Sequence, residues 1–211
     1  MKIKQMTWPI LLGLLPIVIG LVLYRQLPDQ LPIHWGLNGQ ANTYMGKLLV
    51  ILLMPVVMLA LNVVLHVAFV LNLGKSSNPK IEKLLMWVLP IMAIVIQSLS
   101  FSEALGYHLS ISLFVMCIIG ILFMVLGNYI PKTTINRAVG FRLPSTLNNP
   151  DNWQKTNRLG GIMLVMSGLL SIIGGVISLW YPIIIFPVLI FIMVTVVLIP
   201  LIYSVRLARN K

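Results

Sequence analysis

The segment Asn128–Gly161, NYIPKTTINRAVGFRLPSTLNNPDNWQKTNRLGG, is the longest polar stretch in a chain that is otherwise mostly apolar. Its only acid is Asp151, and two aromatic residues, Phe141 and Trp153, lie among its cations. The cations are Lys132, Arg137, Arg142, Lys155 and Arg158. Glycine and proline residues interrupt the segment at several points. This mixture indicates a folded loop that presents a surface, since a plain connection between helices would not need it.

The composition around this loop defines the class of protein. Of the 211 residues, 59% are hydrophobic and 9% are charged, whereas soluble domains carry about 25% charged residues. A membrane-spanning helix needs about 20 apolar residues. The sequence therefore predicts an all-α integral membrane protein with six transmembrane helices in a single membrane domain, residues 1–211. The predicted spans lie at about residues 8–24, 48–73, 84–100, 109–130, 159–180 and 182–203.

Two Asn-Pro pairs predict where helices begin. Asn78-Pro79 and Asn149-Pro150 each combine an N-cap residue with a proline in the first turn. The second pair divides the polar segment into a loop and a helical entry to the fifth span that carries Trp153. Pro131 ends the fourth span, because proline cannot continue a helical hydrogen-bond ladder.

The distribution of cations predicts the orientation in the membrane. In the six-span arrangement every Lys and Arg except Arg25 and Lys47 falls on one side. The positive-inside rule places that side in the cytoplasm, with both termini and the loop 131–158. The loop 25–47 then lies outside. Orientation accounts for the net charge of +11, so we do not expect direct binding to nucleic acid.

The loop lengths also fit a 3+3 inverted repeat. Each half would contain a span, a long loop, a span, a short loop and a span, and such repeats are typical of some transporters. The alternative is coincidence, because any six-span chain has the same parity.

The outer loop contains five candidate ligand-binding residues. Asn38-Gly39 predicts a turn, because both residues tolerate positive φ. His34, Trp35 and Tyr44 flank this turn. They could form an aromatic platform for an extracellular ligand, or belong to an interfacial hairpin whose aromatic rings lie at the headgroups. Spacing alone favours the interfacial hairpin.

Other polar groups give weaker signals. Asp29, His34, Glu103 and His108 match no metal-ligand spacing, so we expect no metal and no other cofactor. The chain contains four acids and no recognisable catalytic motif, so we do not expect an enzyme.

Two sets of residues within the spans predict contacts between helices. Asn62 and His66 share one face of the second span. Their spacing fits an interhelical hydrogen bond better than a proton relay, which would need an acidic partner. Ser167, Ser171 and Gly175 form a small-residue stripe on the fifth span, which predicts close packing within the bundle or in a homodimer.

Two motifs in the loops carry a family resemblance. The outer loop contains Leu27-Pro28, Leu31-Pro32, His34-Trp35, Gly39 and Lys47. The cytoplasmic loop contains Pro131, Gly140-Phe141-Arg142, Thr146-Leu147, Trp153, Lys155-Thr156, Arg158 and Gly160-Gly161. Together they resemble the SdpI family of bacterial immunity and signalling proteins, YfhL-like members included. The chain departs from the family pattern at Leu143-Pro144-Ser145, Asn157 and Asn42, where Thr-Pro-Trp, a histidine and an acid are usual.

The resemblance implies a membrane immunity protein with two binding surfaces. The outer loop, through His34, Trp35, Asn38, Gly39 and Tyr44, would bind a secreted peptide toxin. The cytoplasmic loop would capture an ArsR-type winged-helix repressor and so hold it at the membrane. Its predicted docking surface faces the cytoplasm and comprises Arg137, Gly140, Phe141, Arg142, Trp153, Lys155 and Arg158. The alternative function is a small transporter or antiporter of the cell envelope, motivated by the inverted repeat and His66.

Overall fold

The computed structural model describes residues 6–36, 39–71, 78–136 and 139–209, and most of them are helical. Within these residues, five helical stretches are long and apolar enough to cross a membrane: Lys47–Phe69, Lys80–Ala104, Ile111–Lys132, Pro150–Ile177 and Pro182–Arg209. A sixth apolar helix, α1 (Thr7–Val22), has 16 residues. It is about 24 Å long at 1.5 Å per residue, shorter than a hydrocarbon core of about 30 Å. A helical membrane protein is confirmed, while the sixth span and the inverted repeat stay predictions.

The chain packs as two compact units, one built on Met1–Leu73 with Glu82–Ile111 and the other on Gly74–Ile81 with Ser112–Lys211. The first unit contains α1, the strands β1 (Gln30–Trp35) and β2 (Ala41–Gly46), α2 (Lys47–Val70) and most of α3 (Pro79–Ala104). The second contains α4 (Ile111–Tyr129), α5 (Pro144–Leu147), α6 (Pro150–Ile177), α7 (Ile185–Met193) and α8 (Ile199–Arg209). The strands form an antiparallel hairpin, so the protein is not entirely helical.

Both predicted helix starts are confirmed. The side chain of Asn149 accepts a hydrogen bond from the backbone N–H of Asn152 at the start of α6. Asn78 accepts one from the backbone N–H of Lys80 at 3.0 Å. Because each cap is followed by proline, α3 begins at Pro79 and α6 begins at Pro150, before the apolar part of either helix.

The first unit has its core where the hairpin meets the helix ends. Leu27, Leu31, Val50, Ile51 and Phe101 are buried there against one another. Two hydrogen bonds from α3 link the elements around this core. Ser100 Oγ donates to the carbonyl of Pro32 in β1 at 2.6 Å, and Gln97 Nε2 donates to the carbonyl of Val50 in α2 at 3.1 Å. The hairpin is therefore part of the packed structure of this unit.

Glycines spaced seven residues apart bring α4 and α6 together in the second unit. An ideal Cβ on Gly120 would lie 2.6 Å from the carbonyl oxygen of Gly168, and one on Gly127 would lie 2.6 Å from that of Gly161. Seven residues are close to two helical turns, so each set stays on one face. The pairs run in opposite order along the two helices, which are antiparallel. We call this contact the glycine seam.

The glycine seam decides the role of the small-residue stripe on α6. Ser171 is fully buried, and its Oγ donates to the carbonyl of Met116 on α4 at 2.7 Å. Ser167 Oγ lies 3.2 Å from Thr195 Oγ1. The stripe is therefore occupied within the chain. Packing within the chain therefore accounts for these small side chains, which α4 and the last helical stretch cover, and the homodimer stays a prediction.

The last helical stretch is not one regular α-helix. It opens with a 3₁₀ turn, Pro182–Ile184, and a π-helical turn, Val194–Leu198, separates α7 from α8. Pro200 follows this π turn and lacks the N–H that would bond to the carbonyl of Val196. π turns commonly accommodate such interruptions. The sequence predicted a continuous span here, and hydropathy alone does not reveal the change of helix type.

Candidate functional site

The segment 131–158, which comprises most of the connection between α4 and α6 together with the first turns of α6, is called the central loop below. It is held together mainly by buried polar side chains. Trp153 is 2% exposed, and its Nε1 donates to the carbonyl of Thr133 at 2.8 Å. Thr133 is also buried, and its Oγ1 donates to the carbonyl of Ile130 at 2.7 Å. The indole thereby fastens the first part of the central loop to the first turns of α6.

Asn157 fixes the glycine turn of the central loop. Its Oδ1 accepts the backbone N–H of Phe141 at 2.8 Å, and its Nδ2 donates to the carbonyl of Trp153 at 2.9 Å. Gly140 has φ of +126°, a value that residues with a side chain rarely adopt. A Cβ on Gly140 would also lie 2.7 Å from Asn157 Oδ1. Glycine is therefore required here for conformation and for space.

The ring of Phe141 packs directly on Gly160 of α6, so closely that any Cβ at position 160 would overlap it. Phe141 is half-buried by this contact. The aromatic residue of the Gly-Phe-Arg motif therefore points towards α6, while the neighbouring Arg142 is exposed.

Thr146 organises the turn that follows. It is fully buried, and its Oγ1 accepts the backbone N–H of Leu143 at 2.9 Å and donates to the carbonyl of Phe141 at 2.7 Å. These bonds hold the chain where it enters α5, a helix of 4 residues. The hydroxyl thus provides a hydrogen-bond partner for the N–H of Leu143 and for the carbonyl of Phe141, neither of which lies in a helix.

A second polar network joins α5 and α6 to α8. Asn152 is 2% exposed, and its Nδ2 donates to the carbonyl of Ser204 at 2.9 Å. Ser204 Oγ donates to Asn152 Oδ1 at 3.1 Å and lies 2.7 Å from Ser145 Oγ. Thr156 Oγ1 also donates to Asn152 Oδ1, at 2.8 Å. The central loop is thus hydrogen-bonded to the last helix as well as to α6.

The cations of the central loop face outwards from this scaffold. Lys132, Arg142, Lys155 and Arg158 are all exposed. Beside them opens a cleft of about 540 Å³. Its lining residues are Pro131, Lys132, Thr133, Thr134, Ile135, Pro150, Trp153 and Gln154.

The predicted docking residues thus have two different roles. Gly140 and Phe141 are partly buried against α6 and Trp153 is buried, whereas Arg142, Lys155 and Arg158 are exposed. Trp153 is predicted on the docking surface itself; its side chain is 2% exposed and lies at the wall of the cleft instead of on the outer surface. Arg137 lies outside the described residues.

The hairpin between α1 and α2 is the second candidate surface. His34 and Tyr44 are exposed, and His34 Nδ1 lies 2.7 Å from Asn42 Oδ1 across the strands. Trp35 is half-buried, and its buried Nε1 has no hydrogen-bond partner in the part of the chain that the structure describes. Gly39 lies in the turn, and its N–H donates to the carbonyl of Gly36. Asn38 lies outside the described residues.

Lys47 anchors the base of this hairpin. Its Nζ donates to the carbonyl of Leu27 at 3.2 Å, pairs with Asp29 at 3.1 Å and lies 4.7 Å from the centre of the Tyr24 ring. Elsewhere in the first unit, His108 lies 3.3 Å from Glu103. The acids and histidines considered as metal ligands are thus arranged in separate pairs, and the described residues contain no group of three such side chains that could hold a metal.

The polar pair within α2 is bound to α3. Asn62 Nδ2 donates to the carbonyl of Met86 at 2.8 Å, and His66 Nδ1 lies 3.3 Å from Met86 Sδ. Both residues are at most 1% exposed. Asn62 Oδ1 and His66 Nε2 find no partner among the described residues. The interhelical bonds agree with the structural interpretation, and the two remaining atoms leave a small polar site between α2 and α3.

Sequence reasoning assigned no structural role to Thr133, Thr146, Asn152 and Asn157, which carry most of the side-chain hydrogen bonds of the central loop. One signal was available. The buried residues of α6 recur at intervals of three and four residues from Asn152 to Gly175, as expected for one face of a helix. This face begins with polar residues, so a search for apolar periodicity does not find it.

These features define an integral membrane protein with several apolar helices, a strand hairpin and a folded cationic loop. Comparison with known proteins gives the family. Residues 132–204 match the SdpI/YfhL protein family, and residues 11–59 match a domain of unknown function, DUF1648. The Immunity protein SdpI of Bacillus subtilis (strain 168) is 30% identical over 164 residues, which are 76% of each chain. The chain belongs to the SdpI/YfhL family, and the resemblance seen in its two loops is confirmed. No solved structure matches it.

Proposed function

We propose that the protein is a membrane immunity protein that gives resistance to a secreted antimicrobial peptide, and that its central loop holds a cytoplasmic repressor at the membrane. The observation that carries this proposal is the 30% identity to an immunity protein across 76% of both chains. The cation distribution supports a cytoplasmic position for the central loop and an external position for the hairpin.

The hairpin is the candidate toxin surface. It is anchored through Lys47 and Leu31 and exposes His34 and Tyr44. An amphipathic peptide would be recognised by aromatic and imidazole groups, which offer both apolar area and hydrogen bonds. Trp35 is half-buried beside them and adds apolar area to this surface.

The immunity half is tested by expression in a sensitive bacterium challenged with a panel of secreted membrane-active peptides. Wild-type protein should raise survival against at least one of them. His34→Ala and Tyr44→Ala should reduce protection, while Thr43→Ala, a neighbouring exposed position, should retain it. Unchanged survival across the panel with correctly inserted protein would refute the immunity role.

The central loop is the candidate repressor surface. Its exposed cations, Arg142 and Lys155, stand on a scaffold of buried hydrogen bonds and offer a positive face to an acidic partner surface. Such pre-ordered surfaces bind with a smaller entropy cost than mobile loops do. Charge complementarity would also steer the partner to the loop.

Repressor capture is tested by the membrane fraction of a tagged ArsR-type repressor in cells that are exposed to the toxin. Arg142→Ala combined with Lys155→Ala should release the repressor without loss of stability. Arg206→Ala combined with Arg209→Ala, which removes two exposed cations from α8, is the charge-matched control. If the double variant recruits the repressor normally, the docking surface lies elsewhere.

The second candidate function, a small transporter or antiporter, is favoured by one observation. Asn62 Oδ1 and His66 Nε2 are buried and unpartnered among the described residues, and polar groups inside spans often mark transport pathways. Substrate-dependent flux in proteoliposomes that is lost in His66→Ala would support it. Flux that persists in that variant would count against a role for this site.

A further inference from the structure

A groove beside the glycine seam combines two cations with an apolar floor. Its volume is about 480 Å³, and it runs between the end of α4 and the middle of α6. Lys132 and Arg158 line its polar end, and Ile162, Val165 and Met166 line its apolar end. Gly127 and Gly161 lie between these ends. Because they lack side chains, the two helix backbones approach each other closely where the groove passes them.

The two cations lie where each helix changes from apolar to polar. On α6 the change falls between Arg158 and Leu159, and at the end of α4 it falls between Ile130 and Lys132. Phospholipid headgroups occupy the same level of a bilayer. The apolar floor extends from Arg158 to Met166, about 12 Å along the helix axis.

The ammonium group of Lys132 is held in place by its neighbours. Its Nζ donates to Asn128 Oδ1 at 3.0 Å and lies 5.5 Å from the centre of the Tyr129 ring. An ammonium group has three donors, so this arrangement fixes the group and leaves donors for a ligand. Arg158 can offer a planar fork to a phosphate. None of the residues that line the groove is acidic.

We propose that this groove binds one anionic phospholipid, with its phosphate between Lys132 and Arg158 and an acyl chain over Ile162, Val165 and Met166. Two positive groups at one end and three apolar side chains at the other complement an anionic amphiphile. An acidic protein segment would satisfy the cations and leave the apolar floor uncovered. The proposal assigns Lys132 and Arg158 to lipid, and it holds whether or not the central loop binds a repressor.

The test measures lipid retained by the intact protein after purification in mild detergent, using native mass spectrometry. Added phosphatidylglycerol should remain bound, and phosphatidylcholine with the same acyl chains should not. Lys132→Gln combined with Arg158→Gln should reduce retention of phosphatidylglycerol by about tenfold or more, since each lost charge-assisted contact weakens binding. Lys132→Arg should retain the lipid and shows that the position tolerates substitution.

Arg142→Gln combined with Lys155→Gln is the matched control, because it removes two exposed cations of the same loop that do not line the groove. This control should bind phosphatidylglycerol as wild type does. An equal loss in both double variants would overturn the proposal in favour of unspecific attraction. Equal retention of phosphatidylcholine by the wild type would show that the cations do not select the headgroup.

A soluble competitor distinguishes a lipid from a free anion. Glycerophosphoglycerol has the headgroup and no acyl chains. It should fail to displace phosphatidylglycerol at about a hundredfold excess. Each 1.4 kcal/mol of lost acyl-chain contact weakens binding by about tenfold, so the competitor should bind too weakly to compete. Complete displacement would show that the groove binds an anion alone and would refute the acyl-chain part. Met166→Ser should weaken retention of the lipid, and unchanged retention would contradict the proposed floor.

Discussion

The glycine seam predicts that one added methyl group will separate α4 from α6. An ideal Cβ on Gly168 lies 2.5 Å from the carbonyl oxygen of Gly120 and 3.1 Å from the backbone nitrogen of Met124. Ordinary van der Waals contact begins near 3.4 Å. Gly168→Ala therefore requires the two backbones to move apart by about 0.9 Å, the gap between 2.5 Å and 3.4 Å.

Gly174→Ala is the control that isolates this effect. Gly174 lies in the same helix and is also buried, but the atoms nearest to its added Cβ belong to the side chain of Val188, the first of them at 3.1 Å. Both substitutions gain the same helix propensity, about 1 kcal/mol from Gly to Ala. The difference between the two variants therefore reports the contact across the seam.

Overpacking against a rigid neighbour costs about 1–3 kcal/mol. For a chain of this size each kcal/mol lowers Tm by about 2–4 °C, so Gly168→Ala should melt about 2–12 °C below Gly174→Ala. The measurement is thermal unfolding of purified protein in one detergent, followed by circular dichroism. Equal melting temperatures would refute the seam as a rigid backbone contact, and a lower value for Gly174→Ala would place the tight contact elsewhere.

The remaining predictions concern the two loops. Thr146→Val should leave two backbone groups without a hydrogen-bond partner and destabilise the loop by about 1–3 kcal/mol. Tryptic cleavage at Arg142 should therefore be faster than in wild type. Thr134→Val, at an exposed position, should not change the cleavage rate, and equal rates in the two variants would contradict this. Trp153→Phe should lose the bond to Thr133 and lower stability by about 1–3 kcal/mol, while Trp180→Phe, at a residue 69% exposed, should leave Tm nearly unchanged. Lys47→Met should accelerate hydrogen exchange of the hairpin amides by about fivefold, for about 1 kcal/mol of lost bonding, and Asp29→Asn should change it little, because the Asp29 side chain is 96% exposed. A larger effect in Asp29→Asn would show that the ion pair, not the bond to Leu27, holds the hairpin.

Much of the fold follows from the sequence for simple reasons. Long apolar runs specify helices in a membrane because only internally hydrogen-bonded structure is stable there. Asn149-Pro150 marks the start of α6 because a cap residue and a proline satisfy or remove the first orphan donors. The folded nature of the central loop was also predictable from Gly140, Phe141 and Trp153, which a mobile polar loop would not need.

The direction of Trp153 could have been predicted and was not. Counting back from Gly160 and Gly161 by helical periods places Trp153 and Asn157 on the same inner face as these glycines. The mixture of aromatic and cationic residues suggested a surface because aromatic and basic residues often meet at interfaces. The structure shows that the aromatic residues support the loop and that the cations cover it.

The bonds between Asn152 and Ser204 could not be predicted, because they join residues 52 positions apart in the chain. No local pattern contains that information. The same holds for the groove at Lys132 and Arg158, because its shape depends on the distance between two helices.

The inward position of Phe141, Trp153 and Asn157 has a consequence for how such proteins diverge. Residues that build the central loop are separate from the exposed cations on its surface. Arg142 and Lys155 can therefore change charge, size or polarity over evolutionary time without unfolding the loop beneath them. The exposed positions between the buried ones can thus vary independently of the framework, so the charge of this surface can differ between proteins that share the same loop fold.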